Sequence, residues 1–236
     1  MQKEVLFQDL GIQNSYKEIW DYQEALLKEN VQKKADEITR HSTINHLLFV
    51  EHSPVYTLGK SGHEENVLIS DEERGLKGIE YFHINRGGDI TFHGPQQLVG
   101  YPILDLDKFK TDLGWYLRSL EETIILTMAE YGLKGERSKG ETGVWLDPDI
   151  VGKERKICAM GIKCSRWVTM HGFAFNVNTD LDYFGYIVPC GIQNKQVTSL
   201  EKELGFKVDY AEIKEKLKRN FEKVFDAILV NSNQLV

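Results

Sequence analysis

The order of helix-like and strand-like stretches limits the fold of this chain more than any other feature of its sequence. Apolar residues at three- to four-residue spacing predict amphipathic helices over 15–38, 111–131 and 210–230. Runs of β-branched and aromatic residues predict strands at 46–51, 81–85, 90–92, 98–106, 142–146, 156–163 and 167–178. Most strands lie between two helices without regular alternation. The sequence therefore predicts an α+β fold, with a mixed β-sheet flanked by helices, rather than a doubly wound parallel sheet.

The domain organisation follows from length and composition. A chain of 236 residues suits one large domain or two small ones. It has no internal repeat and no linker rich in proline, glycine or serine, so we expect a single domain over residues 1–236. No apolar run approaches the roughly 18 residues that span a bilayer, and the first residues lack a signal-peptide pattern. We expect a cytoplasmic protein without membrane contact.

Charge and cysteine content exclude two further classes. The net charge of −7 disfavours a nucleic-acid partner. The three cysteines, Cys158, Cys164 and Cys190, cannot all pair, which indicates thiols rather than a disulfide framework. Their spacing is also not that of a structural zinc site.

The segment RGGDITFHGP, residues 86–95, combines a flexible glycine pair with alternating polar and apolar residues. On a strand, Asp89, Thr91 and His93 face one side and Phe92 faces the other. A polar face beside a glycine turn predicts the wall of a pocket. Two simpler interpretations stay open, a hairpin turn at the glycines and an ordinary core histidine. A phosphate loop is disfavoured because the sequence has neither a Walker pattern nor GxGxxG.

With its surroundings, INRGGDITFHGPQQLVGYPILDL, this segment resembles the signature of the lipoyl(octanoyl) transferases, which are octanoyl-[acyl-carrier-protein]:protein N-octanoyltransferases of lipoate biosynthesis. The likeness continues in EHSPVYTLGK, in KICAMGIKCSRWVTMHGFAFNVNTDLDYFGYIVPCGI and in residues 197–200. It implies the catalytic domain fold of the lipoate and biotin protein ligases, with no metal or nucleotide cofactor. It also implies octanoyl-acyl-carrier protein as donor. The implied acceptors are the lipoyl domains of 2-oxo acid dehydrogenase complexes and the glycine cleavage H protein. We expect a monomer.

The resemblance also implies the residues of an acyl-thioester mechanism. The nucleophile falls on Cys190, and the lysine that takes its proton falls on Lys156. A free thiol has a pKa near 8.5, so it needs a nearby amine or ammonium group to react at neutral pH. The implied substrate contacts are Arg86, Gly87, Gly88, Asp89, Ile90, Thr91, Phe92, His93, Ala159, Met160, Gly161, Gly172, Phe173 and Ala174.

Each chemical assignment has a structural alternative. Lys156 could be a solvated lysine at the start of a strand, and Cys190 a small buried hydrophobe. Cys158 and Cys164 share one face of the predicted strand with Lys156, and we interpret them as packing residues rather than competing nucleophiles.

Two residues depart from the family pattern. Gln96 stands where a glycine usually follows His93-Gly94-Pro95, which puts the backbone of that loop in question. Cys158 stands where alanine is common and adds a thiol close to Lys156.

The alternative functions are an ATP-dependent lipoate or biotin protein ligase and a non-catalytic module that binds lipoyl domains. The pair of Cys190 and Lys156 favours the transferase.

A basic segment runs from residue 134 to residue 166, with eight lysines and arginines against five acidic residues. It is either a solvated surface or a docking patch for an acidic donor. Arg137 and Lys139 are the residues whose charge reversal would distinguish the two. The sequence leaves open the preferred acceptor, the tolerated chain length and the protonation state of the thiol and amine.

Overall fold

The computed structural model describes residues 3–188 and 196–231, and every element named here belongs to those ranges. The helices are α1 (Tyr16–Ala35), α2 (Asp71–Leu76), α3 (Leu113–Ala129), α4 (Leu200–Leu204) and α5 (Tyr210–Phe225). The strands are β1 (Lys3–Asp9), β2 (His46–Val50), β3 (Val55–Leu58), β4 (Glu80–His83), β5 (Ile90–His93), β6 (Gln97–Ile103), β7 (Val144–Leu146), β8 (Arg155–Ser165), β9 (Val168–Asn176), β10 (Gln196–Val197) and β11 (Ala227–Asn231).

The larger sheet is mixed, as predicted. Its strand order is β10-β8-β9-β6-β2-β1-β11, and β7 adds to the edge of β8. The central pairs β2–β6, β6–β9 and β8–β9 are antiparallel. The outer pairs β1–β2, β1–β11 and β8–β10 are parallel. Strands β2, β6 and β9 are buried along their whole length because helices cover both faces of the sheet.

The two faces of this sheet form separate hydrophobic cores. On one face, α3 and α5 contribute Leu120, Ile124 and Phe221 to a core that also holds Cys158. On the other face, α1 packs its apolar stripe, including Leu27, against β2, β6 and β9. The strands are therefore fixed from both sides, which makes the sheet a rigid support for a site at its edge. In the described part of the chain, no helix combines the length and apolar character that a membrane crossing demands.

A second, smaller sheet has the order β4-β3-β5. Both β4 and β5 pair with β3 rather than with each other, so the glycines at 87 and 88 do not form a hairpin turn. Instead they carry the chain past the end of β3. The amide of Gly87 donates to the carbonyl of Ile162 over 2.9 Å, which joins the small sheet to β8.

The C-terminal helix is shorter than predicted. The helical spacing of 210–230 ends at Phe225, and residues 227–231 form β11, which pairs with β1. Asp226 ends the helix in the left-handed conformation, with φ of 49°. The segment AILVN is rich in strand-forming residues, and its pairing with a strand more than 200 residues away overrides the local helical spacing. Strands β1, β3 and β10 and the short helices α2 and α4 were not predicted.

Candidate active site

A cavity lies where the two sheets meet. It is bounded by α1, the 86–93 segment, β6, β8 and β9, and β10 closes one side. Most of the predicted substrate contacts converge on it, namely Arg86, Gly88, Asp89, Ile90, Thr91, His93, Ala159, Met160, Gly161, Gly172, Phe173 and Ala174. Gly87 and Phe92 are the two that do not line it. The ring of Phe92 instead stacks on that of Tyr183 at a centroid distance of 4.6 Å, on the face of β5 away from the cavity.

Arg86 brings a buried positive charge to the cavity wall. Its Nη2 donates to the carbonyl and the hydroxyl of Thr57 at 2.6 and 3.0 Å, and its Nη1 donates to the carbonyl of Gly87 at 3.0 Å. Glycines leave room for this side chain. A Cβ at Gly161 would lie 2.7 Å from the carbonyl oxygen of Gly87 and 3.0 Å from Cδ of Arg86. The two-sheet junction therefore depends on small residues around one guanidinium.

His93 is held in one tautomer by a chain of amides. Gln97 Nε2 donates to the Phe92 carbonyl at 3.0 Å and to Asn176 Oδ1 at 2.9 Å, so its oxygen faces His93 Nδ1 at 2.9 Å. The Asn176 amide is itself oriented by donation to the carbonyl of Thr198 at 3.0 Å. His93 Nδ1 therefore donates, and Nε2 is left as the acceptor nitrogen. Burial lowers the pKa of His93 well below its usual value, and the ring is neutral at pH 7.

His171 stands on the opposite wall in a strained conformation. Its φ is 59°, and its amide donates to Gln23 Oε1 at 3.1 Å while Nε2 lies 3.2 Å from Asn85 Oδ1. Burial, reinforced by the Arg86 guanidinium, lowers the pKa of His171 to about 3, so it too is neutral. A non-glycine residue in this region costs of order 1–3 kcal/mol, and such strain concentrates at functional sites.

Lys156 reaches the cavity from β8. It lies directly opposite Trp145 of β7 in the strand register, and its Nζ is 4.6 Å from the centroid of that ring. Gly143 approaches closely, since a Cβ there would lie 2.5 Å from the Cys158 carbonyl oxygen and 3.6 Å from Lys156 Cε. Glu121 holds the Gly143 amide through a 3.1 Å hydrogen bond. The amine is thus packed from several sides and is not a fully solvated lysine.

The predicted nucleophile, Cys190, lies outside the described residues, as do its neighbours Pro189 and Gly191. The described chain stops at Val188, whose amide donates to the Asn66 carbonyl at 2.8 Å. It resumes at β10, where Val197 pairs with Lys156 and lines the cavity. The segment that carries Cys190 is therefore connected on its C-terminal side to a strand beside Lys156.

Comparisons with known proteins find relatives along almost the whole chain. Residues 15–222 match the lipoyl protein ligase A/B catalytic domain. An octanoyltransferase of Christiangramia forsetii is 60% identical over 97% of this chain and 99% of its own length. One from Flavobacterium johnsoniae is 56% identical over 98% of this chain and 100% of its own length.

The chain belongs to the lipoyl protein ligase A/B catalytic domain family. The family resemblance inferred from sequence is confirmed. The fold is confirmed as well, by solved structures that superpose on 98% of this chain. A lipoate-protein ligase A bound with ATP superposes with a TM-score of 0.71 at 15% identity, over 98% of this chain and 89% of that one. A bipartite lipoate protein ligase of Thermoplasma acidophilum gives 0.70 at 15% identity, over 98% and 87%.

The two described cysteines, one of which departs from the family pattern, are both at least partly buried. Cys158 lies on β8 and is fully buried in the core, and burial raises the pKa of its thiol well above the usual value. Cys164 is half-buried, and burial raises the pKa of its thiol too. Both therefore react poorly at neutral pH, in agreement with their interpretation as packing residues.

Gln96 adopts the conformation that explains the family's glycine, with φ of 61°. Its carbonyl accepts from the Asn178 amide and the Thr179 hydroxyl, both at 3.1 Å, and its side-chain oxygen accepts from Asn178 Nδ2 at 2.9 Å. The loop backbone is thus kept in a glycine-like shape by these contacts.

We expect Gln96→Gly to change the free energy of unfolding by less than about 1 kcal/mol, because relief of strain offsets the lost side-chain hydrogen bond. Gln96→Val should cost about 1–2 kcal/mol, since a β-branched residue disfavours positive φ. Urea denaturation measures both. Equal stability of the two variants would contradict this account of the loop.

Several cavity residues were not predicted from the sequence. They are Tyr16, Gln97, Tyr101, Thr142, His171, Asn176, Phe184 and Val197. Gln97 and Asn176 carried a signal that was available, because a polar residue at the start or end of an otherwise apolar strand needs a partner. Tyr16 and Tyr101 gave none, since aromatic residues on a helix and on a strand are ordinary core residues.

Proposed function

We propose that this protein catalyses octanoyl transfer through an acyl thioester on Cys190, with octanoyl-acyl-carrier protein as donor and a lysine of a lipoyl domain as acceptor. That the chain is an octanoyltransferase of lipoate biosynthesis follows from relatives of that name, 54 to 60% identical over nearly the whole length. The thioester step is supported mainly by one observation. An amine, Lys156, lines a largely apolar cavity beside the strand that follows the Cys190 segment.

The reaction has two balanced halves. Lys156, as a neutral amine, takes the proton of the Cys190 thiol, and the thiolate attacks the donor's carbonyl carbon. The carbon–sulfur bond to the carrier breaks, and the departing thiolate takes a proton from the Lys156 ammonium. The acceptor's lysine then attacks the Cys190 thioester as a neutral amine and loses one proton to Lys156. The amide forms as the thiolate of Cys190 leaves, and the proton returns to it.

The cavity walls suit an aliphatic chain. Ala159, Met160, Phe173 and Ala174 offer apolar surface along β8 and β9, where each buried CH2 is worth about 0.8 kcal/mol. The buried guanidinium of Arg86 supplies a positive charge near the same cavity. In a water-poor site such a charge stabilises the tetrahedral oxyanion that each half-reaction passes through.

The test is intact-protein mass spectrometry after mixing the protein with octanoyl-acyl-carrier protein in the absence of ATP. We expect one octanoyl group per chain, mapped to the peptide that carries Cys190 and discharged by a lipoyl domain. An absolute requirement for ATP would indicate a ligase instead. Tight binding of a lipoyl domain without adduct or product would indicate a binding module.

Fewer side chains of the basic segment are available for contact with an acidic donor than its composition suggests. Arg137 is bound to Glu121 and Glu122 at 3.0 and 2.5 Å, and Lys134 and Lys163 also form ion pairs within the chain. Much of the local positive charge is therefore already neutralised. Lys139 is exposed, three residues before Thr142 at the cavity wall, and is the better candidate for contact with an acidic carrier.

We expect Lys139→Glu to raise the KM for octanoyl-acyl-carrier protein roughly three- to tenfold at low salt, with turnover of a small octanoyl thioester unchanged. The control is Lys28→Glu, which makes the same charge change on an exposed position of α1. Arg137→Glu is a poor probe because it would leave the buried Glu121 facing a like charge and destabilise the fold. Equal effects of Lys139→Glu on both donors would argue against docking.

A further inference from the structure

The ring of Trp145 is the feature of the Lys156 environment to which the reaction scheme gives no role. Trp145 and Lys156 are cross-strand neighbours on the same face of the β7–β8 pair. The indole is 2% exposed, and its centroid is 4.6 Å from Lys156 Nζ. This is within the range of a cation–π contact, which stabilises an ammonium but not a neutral amine.

The position of this ring is fixed by its backbone. The Trp145 amide donates to the carbonyl of Glu136 at 2.9 Å, and its carbonyl accepts from the Glu136 amide at 2.8 Å. The register shifts between Val144 and Trp145, an irregularity that turns the strand next to the cavity. Just before it, Gly143 has φ of 109° and is held by the buried Glu121. Strand β7 therefore presents the indole to Lys156 from a rigid support.

Other titratable groups lie around the strand pair that carries this amine. From its own strand comes the Cys158 thiol, which burial keeps neutral. From α3 comes Glu121, whose charge is already met by Arg118 at 2.8 Å and by Arg137 at 3.0 Å. From the loop before β7 comes Glu141, next to the cavity residue Thr142. Unlike these titratable groups, the indole carries no charge. Its cation–π contact stabilises only the protonated form of Lys156.

We propose that Trp145 is a positioning residue that holds Lys156 as an ammonium ion and so favours the thiolate of Cys190. Its effect on Lys156 depends only on the described contact. Its consequence for Cys190 rests on the proposed function. In that state the thiol proton already sits on Lys156 before the donor arrives, and the nucleophile is ready to attack.

The test is a matched series at one position, Trp145→Phe and Trp145→Leu, in the full chain. Lysine labelled with 13C at the ε-carbon reports protonation by NMR, and the Lys156 resonance is assigned from its loss in Lys156→Arg. We expect the affinity of Lys156 for its proton to fall in the order Trp, Phe, Leu, by up to about tenfold for leucine. Trp115→Leu is the control, because Trp115 packs against Phe225 and does not line the cavity.

A second measurement reads the consequence at the sulfur. The rate of iodoacetamide labelling at the Cys190 peptide, followed against pH, should shift its midpoint upward in Trp145→Leu, with Trp145→Phe between leucine and the unchanged protein. A variant that merely loosens the fold would change the rate at all pH values instead of moving the midpoint. If leucine does not fold, the phenylalanine variant still decides the order.

The outcomes separate the two ideas. An unchanged Lys156 titration in both variants overturns the role of Trp145. A shifted titration in the Trp145 variants, combined with the absence of any octanoyl adduct on the protein with Cys190 intact, supports the indole contact and rejects the thioester mechanism.

Discussion

Cys190→Ala will abolish octanoyl transfer and leave no acyl group on the protein. The expected loss of turnover is at least about 10³-fold, as for removal of a nucleophile whose partners act with it as a unit. The remaining thiols cannot replace it. Cys158 is completely buried and Cys164 does not line the cavity, and burial raises the pKa of both. The measurement is intact mass after exposure to octanoyl-acyl-carrier protein, together with the rate of lipoyl-domain octanoylation.

Two controls sharpen this result. Cys164→Ala removes a half-buried thiol away from the cavity, and Cys158→Ala restores the residue common at that position in the family. Both should retain the octanoyl adduct and nearly full activity, although Cys158→Ala will lose some core packing. An adduct that moves to Cys158 or Cys164, or a fully active Cys190→Ala protein that consumes ATP, would contradict the mechanism.

The sequence predicted the elements that a local pattern of apolar residues specifies. Helices α1 and α3 and the central strands are set by apolar spacing, so their positions follow from the chain itself. The prediction of a helix at β11 was wrong because Ile228 continues the helical spacing. The strand that pairs with β11 is β1, which begins at Lys3, far away in the sequence. The glycines at 87 and 88 were open to a hairpin interpretation for the same reason. Nothing local indicates that β3 lies between β4 and β5.

The candidate site divides in the same way. Alternation along one strand placed Asp89, Thr91 and His93 opposite Phe92, and these three line the cavity whereas Phe92 does not, although Ile90 lines it as well. The amide chain behind His93 joins the strands β5, β6 and β9, and the stacking of Tyr16 on His93 joins α1 to β5. Such contacts between distant segments exist only once the sheets are assembled, so no spacing in the sequence predicts them.

Gly59→Ala is expected to damage the cavity from a position outside its lining. A Cβ at Gly59 would overlap the carbonyl oxygen of Gly88 and lie 2.8 Å from Arg86 Nη1. The Gly59 amide also donates to the Asp89 carbonyl at 3.2 Å, so the backbone cannot easily move away. The strain must then pass to the 86–89 segment and to the guanidinium that it carries.

We expect this variant to lose about 1–3 kcal/mol of unfolding free energy, as overpacked sites do. Turnover should fall about 10- to 100-fold, because displacement of binding groups by about 1 Å carries a penalty of that size. Urea denaturation and steady-state kinetics measure the two effects. Gly185→Ala is the matched control, since nothing lies within 4 Å of a Cβ there and its φ is not positive. If both variants kept normal activity, the close approach of Gly59 to Arg86 would have no part in shaping the site. A loss confined to Gly59→Ala would instead place the glycine beside the guanidinium among the residues that octanoyl transfer requires.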